Sequence, residues 1–63
     1  MKCISDSEFV LALKKHFHNN PPSPNEIREL ANKLLVSAPT INRWLKGKNL
    51  PHEALREGIV NLL

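Results

Sequence analysis

The stretch Ile27–Pro51, IRELANKLLVSAPTINRWLKGKNLP, contains two apolar stripes and the break between them. Ile27, Leu30, Ala31 and Leu34 recur at i, i+3, i+4 and i+7, which places them on one face of a helix. Ile41, Trp44 and Leu45 repeat the pattern on a second helix. Ser37 is the natural N-cap of that second helix, because its hydroxyl can accept from a free backbone N–H of the first turn. Val36 and Ile41 stand where a hydrophobic staple would join them. Pro39 is tolerated in the first turn, where N–H groups have no intrahelical partner to lose. Gly47 falls where a helix needs a left-handed residue to close. Only Leu35 to Ser37 separate the two helices, so the second must cross the first sharply.

The same reading extends in both directions. Ser23-Pro24-Asn25-Glu26 is a capping box ahead of the first of these helices, with Pro24 at the position where its missing N–H costs nothing. The far face of that helix carries Arg28, Glu29, Asn32 and Lys33. Upstream, Ser5-Asp6-Ser7-Glu8 is another capping box, with Ile4 and Phe9 placed as a staple. Phe9, Leu13 and Phe17 follow at i, i+4 and i+8, and Asn19-Asn20-Pro21-Pro22 stops the helix. Downstream, a fourth helix begins near Pro51, with Leu55, Ile59 and Leu62 as its apolar face. Gly58 adjoins that face at a cost of about 1 kcal/mol relative to Ala, which predicts a close approach there. No segment reads as a strand and there are no repeats. The expectation is one all-α domain over residues 1–63, with four helices and the paired central helices over about 24–46.

Sixty-three residues form one domain at most, too short to enclose a deep active site. Nine Lys and Arg against six Asp and Glu give a net charge of +3. That balance suits an anionic partner without requiring one. The single Cys3 has no intramolecular disulfide partner, and no apolar run approaches the roughly 20 residues of a membrane span. With no apolar core of a signal peptide at the N-terminus, the expectation is a soluble intracellular protein with no membrane partner.

Charge is distributed unevenly. No Asp or Glu occurs between Glu29 and Glu53, while Lys33, Arg43, Lys46 and Lys48 all fall in that interval. On the third helix Pro39, Asn42, Arg43 and Lys46 recur at i, i+3, i+4 and i+7, opposite Ile41, Trp44 and Leu45. A merely solvated face is the plain alternative, but such faces normally mix signs. A one-signed face is the footprint of a polyanion site. The side chains suit duplex DNA: Arg43 can pair bidentately with guanine and Asn42 with adenine. Lys46, Lys48, Asn49, Ser23 and Thr40 suit phosphate oxygens, which position a protein without reading sequence. Asn25, at the start of the second helix, and Ser37, at the start of the third, stand where free N–H groups can meet a phosphate.

In this block the chain resembles the lambda-repressor and Cro-like (XRE-type) helix-turn-helix DNA-binding domains. The small Ala31, the apolar Leu30, Leu34, Val36, Ile41 and Trp44, and the order Ser37, Thr40-Ile41, Trp44, Lys46-Gly47, Pro51 carry the resemblance. It implies a lambda-repressor-like fold of four helices, five in many relatives, with the third helix in the major groove and the second across the backbone. It further implies a phage, prophage or bacterial repressor acting in the bacterial cytoplasm or nucleoid. Ala38, Pro39, Thr40, Asn42 and Arg43 then face bases, and Ser23, Asn25, Ser37, Lys46, Lys48 and Asn49 face phosphates. A homodimer on an inverted repeat is the implied assembly. Three departures stand out. Leu35 occupies the turn position usually held by Gly, and is strained if it adopts positive φ; otherwise the turn opens differently. Ala38 replaces a frequent Gln and can touch a thymine methyl without bonding a base edge. Within residues 1–63 no segment corresponds to the fifth helix of many relatives.

Other features carry less. His16 and His18 sit two apart on a helix and point to different faces, so with the isolated Cys3 they make a poor metal site. Trp44 reads as core rather than as a base-stacking platform, with an indole N–H that needs one partner. Val10, Leu11, Val60 and Leu63 exceed one narrow core stripe and either deepen the core or form a dimer patch. No catalytic constellation is present, so neither an enzyme, a cofactor nor a small-molecule substrate is expected. Two rivals to a sequence-specific regulator remain: a protein-docking module inside a larger assembly, and a nonspecific architectural DNA binder.

Overall fold

The computed structural model describes residues 3–63; Met1 and Lys2, the first two residues of the domain read from the sequence, lie outside the described residues. Four helices follow in order: α1 Asp6–His16, α2 Pro24–Leu34, α3 Ala38–Leu45 and α4 Glu53–Leu62. The described residues contain no strand. None of the helices is long and apolar enough to cross a membrane.

Three serines start three helices. Ser5, Ser23 and Ser37 are extended N-caps whose hydroxyls accept from the N–H groups of Glu8, Glu26 and Thr40. Each satisfies a donor that the first turn otherwise leaves free. Only this half of the two expected capping boxes forms. Glu8 makes no return bond among the described residues, and Glu26 Oε1 accepts instead from the side-chain amide of Asn19. The connection from α1 thereby ties its own Asn19 to the start of α2.

The ends of α2 and α3 close in the same way. After α2 the Leu35 N–H donates to Asn32 O (3.3 Å) and the Val36 N–H to Ala31 O (2.9 Å). After α3 the Gly47 N–H donates to Trp44 O (2.9 Å) and the Lys48 N–H to Arg43 O (2.8 Å). These nested pairs define the Schellman closure, which requires one left-handed residue. That residue is Leu35 (φ 59°) in the first case and Gly47 (φ 76°) in the second. Leu35 therefore does adopt the strained conformation, and its side chain is 91% exposed.

Phe9, Leu13, Phe17, Ile27, Leu30, Ala31, Ile41 and Trp44 form the buried core. Each of its large side chains contributes about 1.5–3 kcal/mol of transfer free energy. Phe17 joins it from just beyond the end of α1, in extended backbone. Phe9 meets Trp44 edge to face, with ring centroids 5.5 Å apart. The Trp44 indole N–H donates to Asn49 O (3.1 Å), the partner its burial demands. α1 packs on both α3 and α4, and α2 packs on α3.

The fourth helix departs from its expected orientation. Leu55 and Leu62 are 60% and 51% exposed, and the inward face is Arg56, Ile59, Val60 and Leu63. Arg56 is only 7% exposed, yet its guanidinium is satisfied. Nε donates to Pro51 O (2.9 Å), and Nη1 donates to Ile4 O (2.9 Å) and pairs with Asp6 Oδ1 at 2.7 Å. A buried charge requires such partners, and here they come from both ends of the fold. Gly58 has open space where a Cβ would stand, so the expected close approach does not occur.

Candidate nucleic-acid interface

The polar stripe of α3 is set by its buried opposite. Ile41 and Trp44 face the core, so Pro39, Asn42, Arg43 and Lys46 are all directed outward and exposed. The stripe is short: eight residues at the α-helical rise span ~12 Å. Among the described residues the only ion pair is Arg56 with Asp6. Arg43, Lys46 and Lys48 thus have no carboxylate partner there, and their charge is left for solvent or a ligand.

The five residues expected at bases divide into two groups. Pro39, Asn42 and Arg43 stand clear of the fold, whereas Ala38 is half-buried against the core. Thr40 is also half-buried, and its hydroxyl lies 2.8 Å from Ser37 Oγ, so one of these two hydroxyls donates to the other. Of the residues expected at phosphates, Ser37, Asn25, Lys46, Lys48 and Asn49 are exposed and Ser23 is half-buried. Asn49 is held in left-handed backbone (φ 49°), which Asn tolerates well, by the bond from Trp44 to its carbonyl.

The start of α2 offers little to an anion. Pro24 has no N–H, Ser23 takes the Glu26 N–H through Oγ and the Ile27 N–H through its carbonyl, and the N–H groups of Ser23 and Asn25 are left without a partner among the described residues. Glu26 already sits there, with Oε2 buried and unpaired. The positive end of the α2 dipole stabilises that carboxylate, and the carboxylate opposes a phosphate.

A residue outside the expected set joins the face. Lys14, from the last turn of α1, shares a groove with Asn20, Asn42 and Lys46, while the neighbouring Lys15 does not line it. From the sequence Lys14 and Lys15 read alike, as solvated or secondarily near phosphate; both are exposed, and which one meets α3 depends on how the 17–23 connection is routed.

No protein-family model matches the chain, and neither a curated protein nor a solved structure does.

Proposed function

We propose that this chain is a sequence-specific double-stranded DNA-binding regulator built on a lambda-repressor-like helix-turn-helix, with α3 as its reading helix. The observation that supports it most is the exposed, acid-free stripe on a short helix, whose cations have no carboxylate partner among the described residues. An α-helix about 10–12 Å across with its side chains, presenting Asn42 and Arg43 on its outer face, suits a major groove about 12 Å wide. Asn42 and Arg43 read bases, Lys46, Lys48 and Asn49 hold phosphates, and promoter occupancy blocks or recruits polymerase. On an inverted repeat, two copies would sit about 34–36 Å apart, one helical turn. The exposed Leu55 and Leu62, which border an apolar groove with Leu34, Val36 and Ile59, are the surface on which two copies would meet.

The test is selection from a randomised duplex pool at two salt concentrations, followed by sequencing of the retained DNA. Enrichment of one motif is expected. Retention without enrichment would make the chain an architectural binder, and no retention at low salt would make the stripe a protein-docking face. On an enriched duplex, Arg43→Ala should cost about 1–3 kcal/mol and relax preference at one base position. A uniform loss across sequences would place Arg43 on phosphate instead.

A further inference from the structure

The groove of about 270 Å³ between the end of α1, the 17–23 connection and α3 has an unusual lining. Its polar residues are Lys14, Lys46, Asn20 and Asn42, and no acidic residue borders it. None of these four side chains makes a hydrogen bond or an ion pair among the described residues. Ile27 and Leu45 supply an apolar floor. Asp6 shares the adjoining groove with Lys14 and Lys46, but it is engaged by Arg56. Two like charges brought from different helices to one groove repel each other, and an anion between them removes that repulsion. Lysine and asparagine also offer N–H donors that are free to converge on tetrahedral oxygens.

From this arrangement we infer that the groove is a seat for one phosphodiester of the duplex backbone. It rests on the DNA-binding reading above and deepens it, because it adds Lys14 and Asn20 to the contact surface. The phosphate takes the two ammoniums and the Asn20 amide, the adjoining deoxyribose lies on Ile27 and Leu45, and Asn42 at the shared edge keeps its amide for a base. Asn42 and Lys46 belong to both the groove and the stripe, so the seat fixes the angle at which α3 meets the bases. α1 thereby serves as a clamp on the strand flanking the site read by α3.

The experiment compares the salt dependence of duplex binding for the unmodified protein, Lys14→Gln and Lys15→Gln, with inorganic phosphate titrated separately against the side-chain amide NMR signals. Lys14→Gln should lower the slope of log affinity against log salt by roughly one unit, the share of one neutralised phosphate. Lys15→Gln should leave it unchanged. Inorganic phosphate should move the Asn20 amide signals and leave those of Asn25 and Asn32 in place. Equal slope changes in both variants would overturn the seat in favour of a diffuse field. An unchanged slope in Lys14→Gln, with the amide shifts present, would make the groove a site for a free anion and not for DNA. No duplex binding by the unmodified protein would defeat the DNA reading itself and the seat with it, an outcome distinct from a failure confined to Lys14.

Discussion

Two helices of this protein end with the same nested hydrogen bonds, one on Leu35 and the other on Gly47. The left-handed conformation costs an L-residue about 1–2 kcal/mol, and glycine is free of that penalty. The two ends also lead into links of different length. The link after α2 is residues 35–37, held by its own closure and by the Ser37 cap of α3. The link after α3 is residues 46–52, and side chains pin it twice, Trp44 at Asn49 O and Arg56 at Pro51 O. A short link tolerates a strained residue because the two helices leave it no alternative course. A longer one relies on glycine and on staples from the interior.

Removing a staple should cost most. Arg56→Met is expected to lose about 2–3 kcal/mol, read by urea denaturation, because it strips a charged donor from the carbonyls of Pro51 and Ile4. Asp6→Asn should cost well under this, about 0.5 kcal/mol, since the Asp6 side chain is 76% exposed and its pairing is screened. An equal loss in both would move the weight from the carbonyl bonds to the ion pair. Gly47→Val should lose about 2 kcal/mol, combining the left-handed penalty with a branched Cβ. A smaller loss would mean that the second link shifts to relieve it. Leu35→Gly should gain about 0.5–1 kcal/mol, the relieved strain less the greater chain entropy of glycine. Destabilisation instead would reveal that the exposed Leu35 side chain has a contact in an assembly. The smallest effect belongs to the start of α4, where His52 Nδ1 accepts from the Ala54 N–H (3.1 Å). His52→Asp should gain about 0.5 kcal/mol by placing a better cap and a negative charge at a helix N-terminus. No gain would show that this end is already as well satisfied as the serine-capped ones.

Local features were legible from the sequence. The serine caps, the Gly47 closure, the inward faces of α2 and α3 and the acid-free interval are matters of spacing and residue type within one or two turns. The inward face of α4 was not. Leu55, Ile59 and Leu62 fit a helical period, and so do Arg56, Ile59, Val60 and Leu63; hydrophobicity favours the first set. The second prevails because Ile4 O and Asp6, remote in sequence, satisfy the guanidinium. Likewise Asn19, not the Ser23 backbone, takes Glu26, and only the routing of the 17–23 connection places Lys14 beside α3. Within the candidate site, Asn42, Arg43 and Lys46 could be picked out from periodicity. The half-burial of Ala38 and Thr40 follows from how α3 sits on its neighbours, which no single helix discloses.

The Arg56 clasp also has a kinetic meaning. It joins Ile4 to a residue 52 positions later, so the loop it closes spans most of the chain. Such closure is entropically slow compared with the α2–α3 turn, whose contacts are only a few residues apart. The helix pair is therefore expected to form ahead of the α1–α4 junction, with the clasp engaging on the native side of the transition state. Arg56→Met should then speed unfolding and leave the folding rate almost unchanged, and Leu35→Gly should act on the folding rate itself, a contrast that stopped-flow refolding and unfolding would read.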